Sequence, residues 1–96
     1  MDDQSKTLKT KELQINIGDE MSRGRYSNSM MVSHSADEFI IDWLLNAPNG
    51  THLLSRIIVS PAHVRRIINA LKENLDNYEK RFGTIGDTMP VDHKFH

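Results

Sequence analysis

Residues 61–82 read PAHVRRIINALKENLDNYEKRF, and this stretch decides the fold. Val64, Ile68, Leu71, Leu75, Tyr78 and Phe82 recur at spacings of 4, 3, 4, 3 and 4. At about 100° per residue, that spacing gathers them into one narrow, heptad-like stripe, which Ile67 widens. Arg66, Asn69, Glu73 and Lys80 fall on the opposite side. Ser60 offers a capping hydroxyl, and Pro61 at the first helical position needs no amide partner. Gly83 supplies the stop. Asp76 and Lys80 form an i, i+4 pair of favourable orientation, stabilising by a few tenths of a kcal/mol. The pattern predicts one helix over Pro61–Phe82, about 33 Å long, with its stripe packed against a small sheet.

The chain before the helix reads as strands. Leu13, Ile15 and Ile17 alternate with polar residues, the period of a half-buried strand, and Gly18-Asp19 ends it. Residues 19–24 read as a polar loop. Residues 25–33 form a second strand, with Tyr26, Met30 and Val32 on one face. Residues 37–46 form a third, with Phe39, Ile41, Trp43 and Leu45 on one face. Pro48-Asn49-Gly50 is a turn signal, and residues 52–59 form a fourth strand. The third element has a rival reading. Ser35 and Glu38 are spaced as a helix capping box, and Phe39, Ile40, Trp43 and Leu44 also share a helical face. The fold class expected is α+β: a four-stranded antiparallel meander sheet followed by one long C-terminal amphipathic helix. Residues 1–11 read as a flexible N-terminal arm, 12–85 as a single α+β domain and 86–96 as a flexible C-terminal tail.

Composition narrows the function classes. The chain has 96 residues, and twelve Lys and Arg nearly balance thirteen Asp and Glu for a net charge of -1. That balance provides no global basic field for nucleic acid or anionic lipid. With no cysteine, disulfides, iron–sulfur clusters and thiolate zinc sites are excluded. The N-terminal stretch MDDQSKTLKTKELQ lacks the apolar segment of a secretory signal. The longest apolar runs, Phe39-Ile40-Ile41 and Ile57-Ile58-Val59, fall far short of the roughly 20 residues of a membrane span. These features predict a cytoplasmic protein with no membrane partner.

Counting faces suggests a protein partner. Phe39, Ile41, Trp43 and Leu45 line one side of the third strand and Ile40 and Leu44 the other. The fourth strand adds apolar residues to both. One helix covers one face of a small sheet. A second copy of the chain is the simplest cover for the other, by sheet stacking or helix exchange.

No constellation carries chemistry. His93 and His96 have the spacing of a weak helical metal pair but sit in the tail, and His63 reads as a surface or capping residue. His34, Asp37, Glu38 and Asp42 invite a catalytic reading, yet 37 and 38 point to opposite faces of a strand. There is neither a Gly-x-Ser-x-Gly elbow nor a Gly-rich phosphate loop. No catalytic residue, metal ligand or cofactor is therefore expected. Arg56, Arg65 and Arg66 are the basic concentration of interest, with Arg23 and Arg25 as candidates to join them. They would suit phosphate oxygens, or a solvated face with Arg56 paired to Asp42 across neighbouring strands. The expected function is a non-enzymatic homo-oligomeric interaction module, a homodimer with a further protein partner as an option. The alternative is a nucleic-acid-binding accessory protein using Arg56, Arg65 and Arg66.

A resemblance runs through these same residues. Tyr26-Ser27-Asn28, His34-Ser35, Glu38-Phe39 with Asp42, and Ser55-Arg56 are followed by Ser60-Pro61-Ala62-His63, Asn74, Tyr78-Glu79 and Phe82-Gly83. Over roughly residues 13–85 this pattern resembles a small prokaryotic domain-of-unknown-function family, number 3467. Trp43 stands where that family leads one to expect phenylalanine. The resemblance implies a short, cytoplasmic bacterial or archaeal protein and no catalytic residue. It also implies strand rather than helix for residues 37–46.

Overall fold

The structure is a computed structural model that describes residues 5–10 and 13–86, with side chains from Leu13 onward. The elements are β1 (Ser5–Thr10), β2 (Leu13–Gly18), α1 (Asp19–Arg23), β3 (Ser29–His34), β4 (Phe39–Ala47), β5 (Gly50–Val59) and α2 (Pro61–Phe82). The class is α+β, with antiparallel sheet followed by a long C-terminal helix.

The sheet is divided differently from the expected four-stranded meander. β3, β4 and β5 form a three-stranded antiparallel sheet in that order, while β2 pairs with β1 in a separate two-stranded sheet. The cause lies between β2 and β3. Ten residues intervene where a tight hairpin needs about two, and five of them form α1. Asp19 and Glu20 sit at the positive end of that short helix and Arg23 at its negative end. Arg23 bonds Asp19 at 3.0 Å. Gly24, at φ 73, closes the turn with its N–H on the Met21 carbonyl. β2 is thereby detached from β3. Within the expected flexible arm, residues 5–10 are paired to β2 along their whole length. Residues 1–4, 11 and 12 and the expected tail from 87 to 96 lie outside the described residues.

Residues 37–46 are strand, not helix. Ser35 does not cap a helix. Its N–H donates to the Glu38 carbonyl at 2.9 Å and its hydroxyl accepts from Asp37 N–H, closing a turn between β3 and β4. The second strand starts at Ser29 rather than 25, and Ser27 and Asn28 ahead of it serve as a clamp. The Ser27 hydroxyl shares its one proton between the carbonyls of Leu44 (2.7 Å) and Ser29 (2.9 Å). The Asn28 amide both donates to the Asn46 carbonyl (3.0 Å) and accepts from Asn46 N–H (2.8 Å). A side chain thus continues the ladder where the β3 backbone ends. The Tyr26-Ser27-Asn28 motif owes two of its three residues to this job.

On β4 and β5, Phe39 faces Val59, Ile41 faces Ile57 and Asp42 faces Arg56. After Trp43 opposite Ser55 the register shifts, so that Leu44 faces Leu53 and Leu54 is the extra residue of a bulge. One face carries Met30, Val32, Phe39, Ile41, Trp43 and Ile57. The other carries Met31, Ile40, Leu44, Leu53 and Ile58. Apolar side chains stand on both faces, as the strand alternation predicted, but the second face also holds the Asp42–Arg56 pair at its centre.

The long helix has the expected bounds. Ser60 caps it, its hydroxyl accepting from His63 N–H at 3.2 Å. Gly83, at φ 97, ends it with its N–H on the Glu79 carbonyl. The expected packing of its stripe on the sheet is not found: no residue of α2 is buried, and it makes no extended contact with either sheet. The reason is the junction. Ser60 alone separates β5 from α2, in an extended conformation (φ -72, ψ 157). Connections that return a helix onto its sheet take about 2–6 residues. The ion pair on the helix also differs from expectation: Asp76 accepts from Lys72 at 3.1 Å rather than from Lys80. Both lysines lie four residues from Asp76, and it takes the N-terminal one.

Among the described residues only Leu44 and Asp42 are buried, at 6% and 4% exposure. One leucine is no core for a domain of this length. Ile68, Leu71, Leu75, Tyr78 and Phe82 are between 45% and 65% exposed, and Leu53, Ile57 and Ile58 about half.

Candidate interaction surface

Three features carry the chemistry of the surface: a pinned ion pair, an aromatic groove and the bare helix stripe.

Asp42 and Arg56 occupy opposite positions on β4 and β5. Arg56 Nε donates to Asp42 Oδ1 at 2.8 Å and Nη2 to Oδ2 at 3.0 Å, the bidentate fork that suits guanidinium and carboxylate. The Asp42 side chain is 6% exposed and that of Arg56 55%. The arginine therefore lies over the carboxylate as a partly wetted lid. Hydrogen bonding from Arg56 holds the Asp42 carboxyl below its ordinary range, and burial opposes that effect more weakly. Arg56 is held protonated by the same bonds.

This pairing changes the expected basic surface. Of Arg56, Arg65 and Arg66, the first has both ends of its fork engaged. Arg65 and Arg66 lie on exposed positions of the first turns of α2 and have no ion-pair partner among the described residues. The His34–Asp37–Glu38–Asp42 grouping does not assemble either. His34 stacks on Phe39 with ring centroids 5.2 Å apart, Asp42 is committed to Arg56, and Glu38 lends its backbone carbonyl to the turn. His93 and His96 lie outside the described residues. Among those described, no three His, Cys, Asp or Glu side chains converge as metal ligands do.

The groove was not legible in advance. It is an open cavity of about 700 Å³ between the α1 segment and the β4–β5 bulge, lined by Glu20, Arg25, Tyr26, Trp43, Leu54 and Ser55 among others. Tyr26 is 79% exposed and Trp43 39%. Leu54, the extra residue of the bulge, forms part of the groove's wall.

The stripe on α2 is ordered within itself. Tyr78 and Phe82, one turn apart, have ring centroids 5.0 Å apart, and the Arg81 guanidinium lies 5.3 Å from the Phe82 ring centre. Asn74 donates to the Ala70 carbonyl, and Glu79 Oε2 accepts from Ile85 N–H at 2.9 Å, tying down the chain beyond Gly83. Among the described residues nothing buries the apolar side of this helix, although Val64 and Ile67 near its start are half-buried. No described helix is long and apolar enough to cross a membrane.

The fold and surface define a small α+β protein with a pinned three-stranded sheet and an unpacked amphipathic helix. The chain belongs to the DUF3467 family, proteins of unknown function, which it matches over residues 1–87. The match takes in β1 and β2 as well as the motifs from Tyr26 to Gly83. No curated protein and no solved structure matches the chain.

Proposed function

We propose that the protein is a non-enzymatic interaction module that works as a homodimer in the cytoplasm of a prokaryotic cell. The carrying observation is the bare apolar stripe of α2, with Ile68, Leu71 and Phe82 each more than half exposed. Isolated helices are marginal in water, and most helical stability comes from packing an amphipathic face. A 22-residue helix with no buried residue requires a partner surface. The sheet makes a similar demand, since apolar side chains stand on both its faces and its own helix makes no extended contact with either. A second copy is the partner always at hand. The Asp42–Arg56 pair and the Ser27–Asn28 clamp then act as framework, and an unidentified protein would dock on the dimer. Size-exclusion chromatography with light scattering at tens of micromolar tests this. The reading expects twice the chain mass of 11.0 kDa; a clean monomer removes it.

A nucleic-acid reading rests on one specific observation, the adjacent and unpartnered Arg65 and Arg66. It no longer includes Arg56, whose fork is engaged by Asp42. It expects salt-dependent retention of DNA or RNA that weakens in the Arg65→Ala/Arg66→Ala variant. Absence of retention at low salt removes it.

A further inference from the structure

We infer that α2 is a pairing helix, and that two copies join through their α2 stripes in an antiparallel two-helix seam centred near Glu73. The inference rests on the dimer proposed above and adds its geometry.

The shape of the stripe selects the occupant. A helix that lies on a sheet or in a globular core presents a wide apolar face, whereas a strict 3–4 repeat is the narrower seam of a helix pair. Along α2 the repeat is unbroken from Val64 to Phe82. The flanking positions are Arg65, Lys72, Asn74, Glu79 and Arg81, with Ile67 the sole apolar one. Polar flanks of this kind belong beside another helix, where they pair across the seam or reach water. Lying on a sheet, they would be forced under the helix. The area is also sufficient. Two copies of a stripe whose side chains are about half exposed would remove roughly 1,000 Å² from water, at the lower limit for a specific interface. The sheets, which α2 leaves uncovered, remain to add to it.

Charge and size select the direction. In the antiparallel arrangement Val64 meets the partner's Phe82, Ile68 the partner's Tyr78 and Leu71 the partner's Leu75. Each layer then combines a smaller with a larger side chain or two equal leucines, so the seam keeps an even width. Arg65 flanks the partner's Glu79, twice by symmetry, and the same register sets Lys72 beside the partner's Lys72, each lysine neutralised by Asp76 of its own helix at 3.1 Å. Glu79 Oε1 is open to Arg65, because the bond to Ile85 uses Oε2. In the parallel arrangement Phe82 meets the partner's Phe82, Tyr78 the partner's Tyr78 and Val64 the partner's Val64. The seam would be wide at one end and narrow at the other, and no opposite charges would meet across it.

The absence of native cysteine makes site-directed spin labelling clean. Labels are placed singly at Ala62 and at Glu73, both outside the seam, and pulsed electron-spin distances are read in the full-length dimer. An antiparallel seam about Glu73 places the Ala62 labels about 33 Å apart along the axis, from 22 residues at 1.5 Å each. The Glu73 labels then lie within about 25 Å, the width of two packed helices. A short Ala62 distance, equal to that at Glu73, means a parallel seam and overturns the inference while leaving the dimer intact. A Glu73 distance beyond about 40 Å means the helices do not meet, as when each lies on the partner's sheet, and overturns it also. A monomer, with no distance at either position, defeats both this geometry and the reading beneath it.

Discussion

Replacing Leu71 and Leu75 together by alanine is the perturbation with the sharpest expected effect. Both lie in the middle of the α2 stripe, 63% and 45% exposed. Truncation of leucine to alanine removes three methyl or methylene groups, about 2.4 kcal/mol when all are buried, at ~0.8 kcal/mol each. Only the part now exposed is available for burial on pairing. Scaled by those two fractions, the double variant loses about 2.5 kcal/mol per copy and about 5 kcal/mol per dimer. That corresponds to a dissociation constant weakened by roughly 10³ to 10⁴. Alanine is the best helix former, so the change does not weaken the helix intrinsically. Sedimentation equilibrium over a range of concentrations gives the constants. A control pair on the opposite side, Glu73→Ala with Lys80→Ala, is expected to shift the constant little. Equal dissociation constants for wild type and the Leu71→Ala/Leu75→Ala variant would refute the reasoning.

Further outcomes follow from the same structure. Leu44→Ala, at the one buried apolar position among the described residues, should destabilise the fold by about 2 to 4 kcal/mol, read as a lower urea midpoint. Asp42→Asn should flatten the acid limb of stability. The folded Asp42 carboxyl titrates below its ordinary value near 3.8, so its contribution is present above about pH 4 and is lost as the pH falls below that. The wild type should therefore lose stability between pH 5 and 2.5 more steeply than the variant, and equal slopes in urea titrations would contradict this. Gly83→Ala forces a side chain onto φ 97, ψ 165, a region nearly reserved for glycine, at a cost on the order of 1–3 kcal/mol. The last turn of α2 should fray, as seen in lost amide protection at residues 79–82.

The α2 bounds were legible because both ends carry strong signals, a capping serine before proline and a glycine that takes positive φ. β4 and β5 were legible from their β-branched runs, and the Asp42–Arg56 pair from its cross-strand register. β1 was not: SKTLKT has a single apolar residue, and its partner β2 was assigned to the larger sheet because its alternation does not say which neighbour it joins. α1 was missed because DEMSR has too few residues for a period, although its acidic start and basic end follow the helix dipole. The bulge at Leu54 has no glycine to announce it, so the Tyr26–Trp43 groove stayed hidden. The α2 stripe reads as a cover for the sheet when its six apolar positions are weighed without their polar flanks, which suit a second helix. The single-residue junction at Ser60 also separates the two arrangements, and it carries meaning only once β5 is known to run to Val59.

The central claim is that α2 is held in order by a second copy of the chain. Amide hydrogen exchange of residues 64–82, measured as the protein is diluted, tests it most directly. If pairing supports the helix, protection is present at tens of micromolar and falls in step with the dimer fraction, because ligation by a second copy stabilises by mass action. Protection at these amides that stays constant through dilution into the monomer range would contradict the account.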